Sequence, residues 1–212
     1  MGWPSSLSGF KIGLIADPHI SEESSVALTR EAILSVMEDE PDMIVFTGDL
    51  VNLWKPGVED LALEALEPML DFCGPSLAVP GNHDYYGGDA ALLEPLYAAV
   101  GTRLLRNQRW NCAGVNWVGV DSACEDRDDA IRALGGIDFR EPVVIVWHEP
   151  DVVDTLPPCA DLMLSGHSHG GQFVTPWGWP PMTPTLGKKY VRGFYPHAPV
   201  PLYVSRGVGT TG

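Results

Sequence analysis

The sequence predicts an α/β fold in which two mixed β-sheets pack face to face as a sandwich with helices on the outer faces, a four-layer α/β/β/α arrangement. In the first 100 residues, short apolar runs alternate with segments of helical periodicity. This order is typical of parallel strands joined by right-handed helical crossovers. From residue 103 onward, short β-like pieces are separated by Asn and Gly, which indicates an antiparallel meander and a second sheet.

Each element follows from its local pattern. Apolar runs with turn-forming neighbours predict strands, and apolar residues three and four positions apart predict helices. In chain order we expect a strand at 10–16, a helix at 23–38, a strand at 42–46, a helix at 58–72, a strand at 76–79, a helix at 89–100, a meander over 103–120, a short helix at 128–134, strands at 142–147 and 161–164, and a final strand near 202–205. The length predicts one domain over residues 1–212.

The chain is acidic, with 28 Asp and Glu against 13 Lys and Arg and a formal net charge of −15. This charge argues against nonspecific binding to nucleic acid or to an anionic membrane. It would also repel a phosphate substrate unless bound cations reversed the local field. No apolar run reaches the roughly 18 residues of a membrane span, and the N-terminus lacks the order of a signal peptide. We expect a cytoplasmic protein, with a peripheral membrane location and a mature exported form left open.

The four cysteines, Cys73, Cys112, Cys124 and Cys159, have neither the spacing of a metal site nor that of a redox motif. We interpret them as reduced structural thiols, which agrees with a cytosolic location. The sequence leaves the oligomeric state open.

Polar side chains follow five of the predicted strands, at the carboxyl ends where the sites of open α/β sheets form. In chain order these are Asp17, His19, Asp49, Asn82, His83, Asp84, His148, His167 and His169. Five of the six histidines therefore lie at strand ends, and His197 alone falls elsewhere, in a proline-rich loop. Oxygen and imidazole ligands without thiolate suit Mn²⁺, Fe, Zn²⁺ or Ni²⁺ better than a structural zinc site.

This set contains more ligands than one ion can use. A carboxylate that bridges two metals about 3.5–4 Å apart is the economical arrangement, and such metal pairs act in phosphoester hydrolysis. Taken singly, each residue has a structural alternative: Asp17 and Asp49 as helix caps, Asn82 as a turn residue, and the histidines as satisfied core residues. Taken together, the residues favour a metal site.

Five motifs occur in order: D-x-H at 17–19, G-D at 48–49, G-N-H-D at 81–84, a lone His148, and G-H-x-H at 166–169. In this order they resemble the calcineurin-like metallophosphoesterase superfamily. The strings HEPDVVD (148–154), SGHSHGGQ (165–172) and the closing LYVSRGVGTTG resemble its bacterial branch of YkuE-like phosphodiesterases, which includes UDP-2,3-diacylglucosamine hydrolases. The resemblance implies a metal-dependent phosphoric ester hydrolase, more specifically a phosphodiesterase.

The resemblance also implies a role for each matching residue. Asp17, His19 and His169 would hold one divalent metal, and Asn82, His148 and His167 a second, with Mn²⁺ the preferred ion at both. Asp49 would bridge the two ions. His83 would protonate the leaving oxygen or stabilise the phosphoryl oxygens, and Asp84 would orient His83.

The sequence departs from the usual family pattern at Pro18, Asn52 and Ser168, where Leu, Asp and Thr are common. Relatives add a last strand at about the point that corresponds to residue 212, so we expect either a truncated or a naturally short form of the domain. None of these departures removes an implied ligand.

The natural substrate stays open, and a small phosphoester or a phospholipid-like molecule is expected. The alternatives are a phosphomonoesterase, a pyrophosphate-cleaving hydrolase of a nucleotide-sugar lipid, and a non-catalytic scaffold on the same fold. The basic cluster at Lys188, Lys189, Tyr190 and Arg192 is a candidate grip for phosphate, although a solvated charge run is slightly favoured. Phe173, Trp177 and Trp179 are a candidate apolar wall, with a place in the core as the alternative.

Overall fold

The computed structural model describes residues 5–171 and 182–210. Two sheets are present in this part of the chain. The first contains β1 (Ile12–Ile15), β2 (Met43–Phe46), β3 (Ser76–Ala78) and β4 (Arg103–Leu104), in that spatial order and parallel throughout. The second contains β5 (Gln108–Cys112), β6 (Val115–Gly119), β7 (Val143–Val146), β8 (Leu162–Ser165), β9 (Gly193–Tyr195) and β10 (Leu202–Val204), in the spatial order β5-β6-β7-β8-β10-β9.

The second sheet is mixed. Its centre, from β6 through β7 and β8 to β10, is parallel, and an antiparallel strand closes each side. The described α-helices are α1 (Glu23–Glu38), α2 (Val58–Leu66), α3 (Leu93–Ala99) and α4 (Ala130–Leu134), and short 3₁₀ segments lie at Glu67–Asp71, His83–Tyr85, Ala90–Leu92 and Pro150–Thr155. Among the described residues, no helix is long and apolar enough to cross a membrane.

Three apolar layers hold the two sheets and the helices together. On β2, Ile44 and Phe46 pack against α1–α3, while Met43 and Val45 face the second sheet. The two sheets share the middle layer, and the third layer lies between the second sheet, α4 and the segment Pro150–Thr155. Because both faces of the central strands are covered, these strands are continuous apolar runs rather than alternating ones. The predicted four-layer fold class is confirmed.

Some details of the prediction were wrong. Residues 103–104 do not begin the meander: β4 pairs with β3 in the first sheet, because the crossover through α3 returns the chain parallel to β3. The first sheet is therefore parallel in the described residues, and the meander reduces to the β5–β6 hairpin. The helix expected over 58–72 changes to 3₁₀ geometry after Leu66, where Pro68 lacks a main-chain N–H. Strand β9 was missed because it is short and only partly buried.

Candidate metal centre

The candidate site lies where the carboxyl ends of strands from both sheets meet. Strands β1, β2 and β3 deliver residues from the first sheet, and β7 and β8 deliver residues from the second. The predicted metal ligands follow these ends and are almost all buried: Asp17, His19, Asp49, Asn82, His148 and His167. His169 is 10% exposed at its side chain. The sandwich therefore brings residues that are 150 positions apart into one cluster.

Five of the predicted ligands have a left-handed backbone. The φ angles are 53° at Asp17, 48° at His19, 56° at Asp49, 69° at His167 and 49° at His169. Ten described non-glycine residues have positive φ, so half of them are predicted ligands. Such conformations cost energy and persist where the surrounding structure holds them in place, which is typical of functional sites.

Gly48 allows a close approach of main chain at the site. Its φ is 101°, and a Cβ atom at this position would lie 2.6 Å from the Gly81 nitrogen and 2.8 Å from Nδ1 of His148. Only glycine fits both the angle and the space. The Thr47 carbonyl, one residue earlier, accepts a hydrogen bond from Nδ1 of His148 at 2.7 Å, so Nε2 of His148 is the nitrogen that faces the cluster.

The first group of ligand atoms belongs to Asp17, His19 and His169, and all of these atoms lie within 4.8 Å of one another. Nε2 of His19 is 2.9 Å from Nε2 of His169, and Nε2 of His169 is 3.6 Å from Oδ1 of Asp17. Burial lowers the pKa of His19 to about 3, although the nearby Asp49 carboxylate opposes this shift. His19 is therefore a neutral imidazole at neutral pH and can offer a lone pair to a metal.

The second group contains Asp49, His148 and His167, whose ligand atoms also lie within 4.8 Å of one another. Nε2 of His148 is 3.1 Å from Oδ2 of Asp49 and 3.2 Å from Nδ1 of His167. Asn82 borders the same cleft as His167. Its Nδ2 donates to the Tyr86 hydroxyl at 2.9 Å, while its buried Oδ1 has no hydrogen-bond partner among the described residues.

The orphaned Oδ1 of Asn82 tests whether a metal fits this place. A buried acceptor without a partner costs about 1–3 kcal/mol, and a bound cation would satisfy it. The donor set around it, one amide oxygen, one carboxylate and two imidazoles, is the chemistry that divalent transition metals prefer. The residues therefore fit a metal ion.

Asp49 connects the two groups. Its Oδ2 is 3.1 Å from Nε2 of His148 in the second group and 3.5 Å from Nε2 of His19 in the first. Its Oδ1 accepts the main-chain N–H of His83 at 2.8 Å. Burial raises the pKa of Asp49, but the charge of His148 and the hydrogen bond to it outweigh burial and lower this pKa below its ordinary value. Without metal, His148 and Asp49 therefore form an ion pair.

The His83 ring is partly buried and contacts the first group. Its centroid is 4.5 Å from that of His19, in an edge-to-face arrangement. Nδ1 of His83 lies 2.9 Å from the Asn52 carbonyl. Since a carbonyl can only accept, Nδ1 carries the hydrogen, and Nε2 is left to take or give a proton.

Asp84 does not make the contact that we expected. Its carboxylate accepts three main-chain N–H bonds, from Asp49 at 2.9 Å, Gly81 at 2.9 Å and Val51 at 3.1 Å. Burial and the neighbouring Asp49 raise the pKa of Asp84 to about 7, although the bonds from the N–H groups oppose the shift. Asp84 thus fixes the loops that carry Asp49 and Asn82, and the Asn52 carbonyl orients His83 instead. Sequence reasoning missed this carbonyl because its position depends on backbone geometry.

A cleft of about 460 Å³ opens beside Asn82 and His167. Its other lining residues are Tyr86, Ala123, Cys124, Glu125, Pro184, Thr185 and Leu186. The loop that carries Ala123 to Glu125 follows β6, which runs parallel to β7, so its position at this edge could have been inferred from the strand order. All four cysteines are free thiols, and Cys124 lies at the cleft with its Sγ 3.9 Å from Nε2 of His167.

The basic cluster after residue 187 packs against the segment Pro150–Thr155. Nζ of Lys189 binds both carboxylate oxygens of Asp154 at 2.8 Å, and the Tyr190 hydroxyl donates to the same group. Nη1 of Arg192 donates to the Gly170 carbonyl at 3.2 Å. These contacts engage the cluster within the fold, which argues against a phosphate grip and also differs from the solvated charge run that the sequence slightly favoured. The aromatic wall expected at Phe173, Trp177 and Trp179 lies outside the described residues.

A family model described as calcineurin-like phosphoesterase matches residues 10–171. The chain belongs to this family. Its members are metal-dependent phosphoric ester hydrolases, and the two ligand groups described above agree with divalent-metal binding. The match covers the five motifs of the sequence, from Asp17 to His169, and it confirms the resemblance that those motifs indicated.

Several known proteins are similar to this chain. The uncharacterized metallophosphoesterase YkuE of Bacillus subtilis is 32% identical over 98% of this chain and 75% of its own length. Phosphodiesterase YaeI of Escherichia coli is 31% identical over 95% of this chain and 76% of its own length. The crystal structure of TT1561 from Thermus thermophilus is 11% identical and superposes with a TM-score of 0.59 over 93% of this chain and 89% of that one. This structural likeness supports the fold.

Proposed function

We propose that this chain is a dinuclear metal-dependent phosphodiesterase. The observation that carries the proposal is the position of Asp49 between the two ligand groups, because its Oδ2 lies 3.1 Å from Nε2 of His148 in its own group and 3.5 Å from Nε2 of His19 in the other. In the proposal, Asp17, His19 and His169 hold one ion, Asn82, His148 and His167 hold the other, and Asp49 bridges them. Mn²⁺ is the preferred ion, and Fe, Zn²⁺ and Ni²⁺ are the alternatives.

The chain's own residues have distinct tasks in this proposal. When bound, the two ions supply Lewis-acid activation of the phosphoryl group and of the water nucleophile. His83 gives a proton to the leaving oxygen from Nε2, because Nδ1 is held by the Asn52 carbonyl. The carboxylate of Asp84 keeps the loops of Asp49 and Asn82 in register, so that the ligands stay in place during the reaction.

The cleft supports a diester rather than a monoester substrate. Among the described residues that line it, Glu125 carries a carboxylate and no Lys or Arg is present. A terminal phosphate dianion placed in this cleft would meet like charge, whereas a diester has one negative charge and a second group that can be neutral. The name of the relative YaeI, phosphodiesterase, points the same way. We further propose that the substrate is a small phosphoester or a phospholipid-like molecule and that the enzyme acts in the cytoplasm. Nucleic acid is not expected to be a substrate.

The proposal is tested by hydrolysis of bis-p-nitrophenyl phosphate, with the purified chain reconstituted separately with Mn²⁺, Zn²⁺, Fe²⁺ and Ni²⁺. We expect two metal ions per chain by elemental analysis and turnover that is lost on chelation. A chain that binds no metal and turns over no phosphoester would be a scaffold, and the proposal would be wrong. Faster turnover of p-nitrophenyl phosphate than of the diester would show that the chain is a phosphomonoesterase. Preferred cleavage of a nucleotide-sugar pyrophosphate would show that it is a pyrophosphate-cleaving hydrolase.

A further inference from the structure

The carbonyl of Thr185 fixes the orientation of the His167 ring. It lies 2.6 Å from Nε2 of His167, and since a carbonyl can only accept, Nε2 carries the hydrogen. Nδ1 of His167 therefore has the lone pair, and this is the nitrogen that lies 3.2 Å from Nε2 of His148 in the second ligand group. The position of the segment around Thr185 thus determines which nitrogen of His167 is free to bind a metal.

Asp151 holds this segment. Its carboxylate accepts main-chain N–H bonds from Lys188 at 2.8 Å, Lys189 at 3.1 Å and Tyr190 at 3.0 Å. Its own main-chain N–H donates to the Leu186 carbonyl at 2.9 Å. Four hydrogen bonds from one residue therefore fasten residues 186–190 to the chain that leaves β7. Asp151 itself stands three residues after His148 in the string HEPD.

The same segment packs tightly on the loop after β8. A Cβ atom on Gly187 would lie 3.2 Å from Cδ2 of His167 and 3.4 Å from Cβ of Ser168. The Ser168 hydroxyl donates to the Val191 carbonyl, just beyond the residues that Asp151 holds. A shift of the segment would therefore move the His167 ring, because little free space separates the two.

We propose that Asp151 is a positioning residue of the metal centre, which holds residues 185–190 so that the Thr185 carbonyl sets the tautomer of His167 and leaves Nδ1 as the ligand. The inference rests on the proposed function, since it concerns the second metal of that site. Residues that hydrogen-bond to a metal-binding imidazole fix its ring and raise its basicity. The Asp151 carboxylate does not touch the imidazole itself. It acts on His167 indirectly, by holding the main chain that carries the Thr185 carbonyl.

Asp154 offers a matched control. It lies on the same 3₁₀ segment and loses the same charge on substitution by Asn. Among the described residues, however, its carboxylate binds side chains alone, Nζ of Lys189 and the Tyr190 hydroxyl. An amide at position 151 cannot accept all three N–H bonds and brings two donors of its own toward them. We therefore expect Asp151→Asn to release the segment and Asp154→Asn to leave it in place.

The first measurement is a calorimetric titration of both variants and the unaltered chain with Zn²⁺. We expect Asp151→Asn to weaken binding at one of the two sites by about 10- to 100-fold and Asp154→Asn to leave both unchanged. The second is ¹⁵N NMR of the histidine rings, with His167 assigned through His167→Asn. We expect the Nε2–H tautomer in the unaltered chain and in Asp154→Asn, and a mixture of tautomers in Asp151→Asn.

Unchanged Zn²⁺ affinities and an unchanged His167 tautomer in Asp151→Asn would overturn the inference. An equal loss of Zn²⁺ affinity in Asp151→Asn and Asp154→Asn would also overturn it. If Asp151→Asn does not fold, Gly187→Ala displaces the same segment against His167, and normal metal binding by that variant would overturn the inference. If the unaltered chain binds fewer than two ions, the proposed function fails, while the NMR measurement on metal-free protein still decides the role of Asp151.

Discussion

Nε2 of His148 lies 3.1 Å from Oδ2 of Asp49, and both side chains are shielded from solvent. Burial lowers the pKa of His148, but Asp49, Asp17 and Glu149 outweigh it and raise that pKa well above its ordinary value. In the metal-free chain the imidazole is therefore protonated. A metal that uses the same nitrogen has to displace this proton.

Metal binding should accordingly tighten as pH rises. Protonated His148 competes with the ion until the pH passes its raised pKa, so the affinity should still be increasing with pH above the range in which an ordinary histidine has lost its proton. Calorimetry in two buffers of different ionisation enthalpy should detect roughly one proton released for an ion that binds His148. An affinity that does not change with pH would contradict the pairing of His148 with Asp49 in the metal-free state.

Asp49→Ala should abolish metal binding at both sites. The substitution removes the carboxylate that lies within 3.5 Å of ligand nitrogens of both groups. Elemental analysis after dialysis should find no metal above background. His197→Asn is the control, because His197 is exposed and belongs to neither ligand group. Retention of one full equivalent of metal by Asp49→Ala would mean that Asp49 does not bridge.

His83→Asn should keep both metals and lose turnover. The loss of an acid–base group costs about 10²- to 10⁴-fold in rate. The ratio of metal to protein, measured on the sample used for kinetics, separates this outcome from loss of metal. The effect should shrink for substrates whose leaving group needs no proton, such as p-nitrophenolate. Full activity against a diester of a poor leaving alcohol would rule out the role given to His83.

Asp84→Ala should destabilise the fold. Three main-chain N–H groups, from Asp49, Val51 and Gly81, would lose their acceptor in a buried place. We expect the free energy of unfolding to fall by roughly 2–5 kcal/mol, measured by urea denaturation of the metal-free chain. The control is Asp138→Ala, since the Asp138 carboxylate pairs with Arg140 at an exposed position. Equal unfolding midpoints for the two variants would contradict the structural role of Asp84.

Glu125→Gln should improve turnover of monoesters relative to diesters. Removal of the carboxylate from the cleft lowers the repulsion of a phosphate dianion by about 1 kcal/mol, which corresponds to roughly a fivefold gain in kcat/KM. The comparison uses p-nitrophenyl phosphate and bis-p-nitrophenyl phosphate with the same metal. An unchanged ratio would show that Glu125 does not select the substrate, and the preference for a diester would then need another cause.

Local pattern predicted most of the elements and the composition of the candidate site. Helix α1 begins and ends where its apolar periodicity predicted, at Glu23 and Glu38. Strands β1, β2 and β7 lie within the predicted apolar runs, since strands covered on both faces are apolar without alternation. The position of β4 could not be predicted in the same way, because two residues carry no information on which of two sheets they join.

The sequence by itself determined which residues meet: side chains that follow parallel strands share one edge of the sheets, so Asp17, Asp49, Asn82, His148 and His167 were expected together. Only the tertiary structure decided what holds them. Asp84 binds main-chain N–H groups, the Asn52 carbonyl orients His83, and Asp151 fastens the segment that orients His167. Each of these contacts joins one side chain to a main-chain N–H or carbonyl group. Because main-chain groups are nearly the same in every residue, the path of the backbone decides which of them a side chain reaches, and the pattern of side chains in the sequence does not predict it.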